Sequence, residues 1–378
     1  MRLRSVFIIF TIWLIAIGLF AVFSNDRFNL KPDTSYDWIN QDQRVQVQGE
    51  NFVDSRSKWD SAWYIDIAEN GYSYKEGSLS NIVFFPLYPV LMFLVSGILF
   101  MSLTMSGWLI STVSLLLALV VFYRLIEKYH PQIKPIEPIF YLLIFPTAFF
   151  FNVVYTESLF LLFTLLSFYF IREKKYWLAG LFGFFAAITR VTGVLLLIPF
   201  VYEFIRDKTN NFKNLRFSVV TSFSFVKSFV PVLLIPLALA LFFAYHYFVF
   251  GDFFLFLEVE DTFGRAFILN KEHFTFNTAP AMANFGLDVM FAVGAFIAAI
   301  LVLLRVRVSY GLYVLSALLL PLSTGSLMSI GRYVLVLFPI YILIASFKNQ
   351  YIKLTYVFVS ILLLATTIIL FVNNYWAG

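Results

Sequence analysis

From Ser5 almost to its end, the chain alternates long apolar runs with short polar interruptions. Each run is about 17 to 22 residues, the length an α-helix needs to cross roughly 30 Å of hydrocarbon. By that length criterion roughly ten or eleven runs predict membrane-spanning helices. The first, Ser5 to Phe23, follows Met-Arg-Leu-Arg and ends at Ser24-Asn25-Asp26 without a small-x-small cleavage site, the pattern of an uncleaved signal anchor. Several later runs are short or interrupted, at Pro146, Gly193, Pro231 and Pro236. Irregular backbone at membrane depth is tolerated where protein or a cavity covers it, so these breaks predict a cavity in the bundle. No fixed-period repeat and no Gly/Ser- or Pro-rich linker divides the chain, which is read as a single integral membrane domain over residues 1–378.

Composition narrows the class. With 61% hydrophobic and 13% charged residues and a mean hydropathy of +0.84, the chain has too little polar surface to cover a water-soluble globule. Pattern and composition together predict an all-α polytopic membrane protein. The net charge of +5 is scattered over short loops, so it reports topology, and no nucleic-acid partner is expected. The absence of Cys excludes disulfides, thiolate metal sites and a Cys nucleophile. His130, His246 and His273 are too dispersed to suggest a zinc site by spacing.

Five basic clusters mark cytoplasmic loops: Arg124 to Lys134, Arg172 to Lys175, Arg206 to Arg216, Arg305 with Arg307, and Lys348 to Lys353. The basic N-terminus is placed on the same side. Residues 24–83 carry ten acids against six bases and read as the first external loop. Counting crossings between these marks leaves one full span, Met105 to Tyr123, preceded by an interfacial or re-entrant helix that starts at "FFPLYP" and occupies residues 84–103. Five polar islands then share the external side: the first loop, "NVVYTES" (Asn152 to Ser158), "TRVTG" (Thr189 to Gly193), the second large loop at 250–284, and "STGSLMSIGRY" (Ser323 to Tyr333). The prediction is a multi-pass protein of the cell (plasma) membrane with its active face outside.

The first island carries the densest chemistry, in "SKWDSAWYIDIAENGY" (Ser57 to Tyr72). A helix over Trp59 to Glu69 would put Trp59, Trp63 and Ile67 on one apolar stripe and Asp60 with Tyr64 on a neighbouring one. That describes an interfacial helix, ended at Asn70-Gly71, with Asp66 and Glu69 on its solvated side. Asp60 has two readings. Ser57-Lys58-Trp59-Asp60 fits a capping box, in which the carboxylate only satisfies a helix-terminal N–H. Alternatively, Asp60 faces a cavity as a reacting group. Farther on, Arg265 with Glu258, Glu260 and Asp261 makes a charged patch, either a solvated loop face or an acceptor contact, and His246 between Tyr245 and Tyr247 reads as an interfacial residue.

"KWDSAWYIDIAENGY" followed by "FFPLYP" resembles the signature of the GPI mannosyltransferase II (PIG-V) family and its prokaryotic relatives. Trp59, Asp60, Tyr64, Ile67, Ala68, Gly71 and Tyr72 fill the first half of that pattern, and Phe84 to Pro89 the second. "YTESLF" (Tyr155 to Phe160), "TRVTGVLL" (Thr189 to Leu196), "FGDFFLFL" (Phe250 to Leu257) and "GRYVLVLFP" (Gly331 to Pro339) follow in the family's order. Two positions depart from it: Lys58 stands where Arg is usual, and Phe253 where Pro often follows Gly-Asp.

The resemblance implies a GT-C glycosyltransferase that moves a sugar, mannose in the family, from a polyprenyl-phosphate donor to an acceptor at the external face. Glycolipid, polysaccharide and protein acceptors are all compatible, as is an accessory membrane subunit. Transfer from a β-linked phosphosugar to an α-glycoside inverts the anomeric centre, so one general base suffices, and Asp60 is the choice. The leaving phosphate gains charge, for which Arg190 and Arg332 are the candidate partners; interfacial snorkelling is the alternative for each. Trp59, Tyr64, Glu157, Lys58 and Arg265 are candidate substrate-binding or orienting residues, Glu157 equally a partner for Arg190 or a carboxylate favoured by a helix N-terminus. No cofactor or metal is called for, since the external acids lack a D-x-D pair and the donor carries one phosphate. A lipid or glycolipid transporter or flippase is the alternative of another class, and a non-catalytic scaffold a third.

Overall fold

The structure is a computed structural model that describes residues 3–28, 52–209, 227–265 and 279–377. His273, much of the Arg206 to Arg216 cluster and parts of both large loops lie outside the described residues. Among those described, fifteen α-helices alternate with 3₁₀ turns, and no strand occurs. The first half contains α1 (Arg4–Arg27), α2 (Ser61–Asn70), α3 (Leu87–Leu99), α4 (Leu103–Tyr129), α5 (Ile136–Leu143), α6 (Glu157–Arg172) and α7 (Tyr176–Ala187). The second contains α8 (Leu197–Thr209), α9 (Leu234–Phe250), α10 (Leu255–Thr262), α11 (Ala279–Arg305), α12 (Val308–Ser323), α13 (Ile330–Leu335), α14 (Pro339–Ser346) and α15 (Gln350–Val372).

Among the described residues, five segments are long and apolar enough to cross a membrane: α1, α4, Lys227–Phe250 (which ends in α9), Met282–Arg305 of α11, and α15. With the shorter apolar helices α3, α7 and α12 they make an all-α polytopic membrane protein. The 13 residues of α3 extend about 20 Å, short of the hydrocarbon thickness, and the 12 of α7 about 18 Å. The breaks fall at the punctuating residues. A 3₁₀ turn at Val191–Leu196 spans Gly193, another at Val230–Leu233 contains Pro231, and Pro339 begins α14 after the short α13. The Val191–Leu196 turn is buried or half-buried inside the bundle, where protein groups satisfy its backbone, whereas Val230 and Leu233 of the Pro231 turn are exposed.

Helix α6 sets the axis of the fold. It starts at Glu157, reaches about 24 Å over 16 residues, and ends at Arg172. At the Arg172 end the basic clusters are tied together by ion pairs: Lys128 with Glu173, Lys174 with Asp207, Arg307 with Glu203, and Lys353 with Glu137. At the Glu157 end lie the first loop, the Arg190 turn and α13. Arg56 anchors the first loop there. Its guanidinium donates to Asn152 Oδ1 at 3.2 Å and to the Gly18 carbonyl of α1 at 3.4 Å, and it lies 3.6 Å over the Phe52 ring.

The first loop differs from expectation in one respect that bears on the site. Helix α2 starts at Ser61, so Trp59 is outside it, in the left-handed region at φ 54°. Ser61 to Ala68 are all buried, and the helix has no broad solvated or lipid-facing side. Trp63 stacks on Phe84 and meets Phe263 edge-on, because the "FFPLYP" segment and α10 close over that face. Asp66, expected to be solvated, is 3% exposed and accepts from Asn70 Nδ2 at 2.9 Å and Asn81 Nδ2 at 2.8 Å; it pins the end of α2 to the 3₁₀ turn at Asn81–Val83. Glu69 is exposed, as its position on the helix required.

Gly193 shows how tightly the Arg190 turn is seated. A Cβ there would lie 2.4 Å from the Ala186 carbonyl carbon and oxygen and the Ala187 nitrogen, all backbone atoms of α7. Gly193→Ala is therefore expected to push the turn off α7 and to cost about 1–3 kcal/mol of stability by overpacking. Thermal melting in detergent beside the wild type checks this; an unchanged melting temperature would show that the turn has slack.

Candidate active site

Residues from six parts of the chain converge on one cavity. Asp60 and Tyr64 come from the first loop, Phe84 and Phe85 from "FFPLYP", Thr189 to Thr192 from the turn after α7, Glu260 and Arg265 from the second large loop, and Met328 to Tyr333 from the entry to α13. Trp376, after α15, completes the wall.

Below the cavity a chain of buried charges runs from Asp60 to Arg190. Arg332 Nη1 donates to Asp60 Oδ2 at 2.6 Å, although the two are 272 positions apart in sequence. Its Nε donates to Glu157 Oε1 at 2.8 Å, and Arg190 Nη1 lies 2.7 Å from the same oxygen. Side-chain exposure is 17% for Asp60, 7% for Arg332, 11% for Arg190 and 0% for Glu157, so only Asp60 and the two guanidiniums reach the cavity. Two acids against two bases leave this row electrically balanced, the condition under which buried charges are tolerated.

Each member is held by local structure. Glu157 opens α6, where the helix dipole favours a carboxylate. Arg332 lies 4.5 Å over the Tyr155 ring and 5.1 Å over Phe150, which fixes its plane. Arg190 is 5.2 Å from the Tyr333 ring and donates to Thr156 Oγ1 at 3.4 Å. The Tyr155 hydroxyl accepts from the Asp60 amide and donates to the Lys58 carbonyl, both at 3.1 Å, and so clamps the turn that carries Asp60. The start of α13 is held from α11, where the Asp288 side chain accepts from the Ile330 and Gly331 amides.

Asp60 stands at the N-cap of α2 without a side-chain capping bond to that helix, and its carboxylate is turned to Arg332. Arg190 and Arg332 do not snorkel, since both are buried and ion-paired. Of the other candidates, Tyr64 lines the cavity and contacts Thr156 Oγ1 at 3.4 Å. Arg265 lines it beside Glu260, at 3.5 Å. Lys58 offers the turn its carbonyl, and Trp59 packs edge-on against Trp376 at 5.2 Å, behind the cavity. His246 is buried among Tyr72, Phe242 and Tyr245, away from these groups. Among the described residues no three His, Asp or Glu side chains form a group suited to a metal ion.

Sequence reasoning did not single out Tyr155, Tyr333, Asp288 or Trp376. Tyr155 was within reach, because it opens the "YTES" motif two residues before Glu157. Asp288 was a lone acid in an apolar run, itself a signal. Trp376 carried no local signal.

The fold and site define a membrane-embedded protein that gathers fixed charges around a cavity at one end of its bundle. The sequence model of the Mannosyltransferase (PIG-V) family matches residues 6–269, well over half of the chain. The chain belongs to that family, and the activity class is glycosyl transfer. A comparison with curated proteins found no match. The matched range contains Asp60, Glu157, Arg190 and Arg265, while Arg332 and Trp376 come from beyond it.

Removing Glu157 charge should expose how much the site depends on it. Glu157→Gln leaves two buried guanidiniums sharing a neutral partner, and breaking a buried pair costs about 3–5 kcal/mol. The exposed change Glu69→Gln should stay within about 0.5 kcal/mol. Melting temperatures of the two variants make the comparison; equal values would mean that the buried row is not under electrostatic constraint.

Proposed function

We propose that the protein transfers mannose from a polyprenyl-phosphate donor to an acceptor hydroxyl at the external membrane face, with inversion at the anomeric carbon. The observation that carries this reading is Asp60: a family-motif carboxylate that borders the cavity, does not cap α2 with its side chain, and is held by Arg332. In the proposed step the acceptor O–H gives its proton to the Asp60 carboxylate while the acceptor oxygen bonds to C1 of the sugar. The C1–O bond to phosphate breaks, and its electron pair leaves with the prenyl phosphate. Negative charge thus grows on the phosphate side, where Arg190 and Arg332 provide a fixed positive field. Tyr64 and the aromatic wall of the cavity would orient the sugar, and Glu157 keeps the two cations in place. Glycan, glycolipid and protein acceptors fit this chemistry equally.

Two tests address it. Asp60→Asn keeps the shape of the side chain but removes the proton acceptor, and loss of a general base typically lowers the rate by about 10²- to 10⁴-fold. Single-turnover transfer should fall by that amount while donor binding persists; near-normal transfer would remove Asp60 from the mechanism. The external assignment is supported by the ion-paired basic clusters at the opposite end of α6. Because the chain has no native Cys, it can be tested with Glu76→Cys and Lys175→Cys, both at exposed positions. A membrane-impermeant maleimide on intact cells should label the first and spare the second, and the reverse pattern would invert the topology.

A further inference from the structure

A second hollow adjoins the cavity. It is a groove of about 250 Å³ walled by Val194, Leu239, Phe243, Phe256, Leu257 and Leu320. Leu239 and Phe243 belong to the apolar helix α9, within the membrane-length segment Lys227–Phe250, so the groove lies along a lipid-compatible surface. Polar cavity and apolar groove share a seam of six residues: Val191, Thr192, Glu260, Arg265, Met328 and Tyr333.

We propose that Arg265 is the seat of the donor phosphate, with the prenyl chain in the adjoining groove and the sugar reaching past it toward Asp60. This rests on the polyprenyl-phosphate reading above and divides the work among its three arginines. A lipid-linked phosphosugar is linear: an apolar tail, one phosphate, then the sugar. Whatever binds it with the tail in the groove and the sugar in the cavity must put the phosphate at the seam. Among the described residues, the cation at the seam is Arg265; Arg190 and Arg332 line only the polar cavity.

The bonding of the three cations points the same way. Arg190 and Arg332 are tied to carboxylates at 2.6 to 2.8 Å, the range of full charge-assisted hydrogen bonds. Arg265 sits 3.5 Å from Glu260, beyond that range. Burial lifts the Glu260 carboxyl above its ordinary range against the pull of Arg265. Arg265 therefore binds the donor ground state, while Arg332 and Arg190 stay with Asp60 and Glu157 and meet the charge that develops on transfer.

The test compares binding of farnesyl phosphate and farnesol to the full chain in detergent. Wild type should prefer the phosphate. Arg265→Gln should weaken farnesyl phosphate by about 10- to 100-fold, the worth of a hydrogen bond to a charged group, and leave farnesol unchanged. Arg265→Lys should retain most of the preference. Leu320→Trp, which fills the groove, should weaken both ligands alike. The seat assignment is overturned if Arg265→Gln keeps the preference for phosphate. It is equally overturned if that variant loses farnesol together with the phosphate, since Arg265 would then shape the groove, or if Leu320→Trp binds both ligands normally. A wild type that binds farnesyl phosphate through Arg265 yet never transfers mannose from a prenyl-phosphate donor would instead sink the proposed reaction and leave the seat standing.

Discussion

The architecture of the site hangs on one fully buried carboxylate. Glu157 has no exposed surface, and one of its oxygens takes both Arg332 and Arg190. A guanidinium cannot shed its proton to escape burial, so each arginine must keep a counter-charge wherever the fold places it. Putting that counter-charge at the start of α6, where the helix dipole also favours it, lets two cations enter the bundle beside a third group, Asp60. The cost of any gap in the row is several kcal/mol, which makes it a strong constraint on how α6, the Arg190 turn and α13 meet.

Both ends of the Asp60–Arg332 bond arrive by strained backbone. Trp59 stands at φ 54° immediately before Asp60, and Ser329 at φ 67° immediately before α13. Left-handed conformations cost ordinary residues roughly 1–2 kcal/mol each, so the surrounding contacts must impose them. They can be named: the Tyr155 hydroxyl bridges the Lys58 carbonyl and the Asp60 amide, Trp376 braces Trp59, and Asp288 receives the first amides of α13. A short helix of six residues would otherwise be a poor platform for Arg332. Fixing charges before a reaction begins is what electrostatic catalysis requires, since no reorganisation is then needed as charge moves.

Charge is segregated along the bundle. At the end where α6 finishes, basic residues pair with acids from neighbouring loops and form cross-links near the surface. At the end where α6 begins, the pairs are buried and border two hollows, one polar and one apolar. The first arrangement ties loops; the second lines a polar cavity. The broken stretch at Val191–Leu196 and the six-residue α13 belong to this second end, where bundle walls cover their backbone.

Much of this was legible in the chain alone. Hydropathy sets the all-α membrane class because span length and backbone satisfaction in hydrocarbon leave few other solutions. The islands "WD", "YTES", "TRVTG" and "GRY" stood out as polar groups that an apolar chain would otherwise exclude. One pairing was anticipated, Glu157 with Arg190, but that of Asp60 with Arg332 was not legible: a bond between residues 272 positions apart has no local signature, and Asp60 alone fitted a capping box as well as a reacting group. Nor did the period of α2 reveal that its apparent polar face would be buried, because Asp66 is satisfied by Asn70 and by Asn81 from beyond the helix. Local pattern determines which segments are helices and which residues an apolar environment cannot leave unpartnered. Only tertiary packing decides which partner each receives, since a buried charge is stabilised by whatever group the fold brings within about 3 Å.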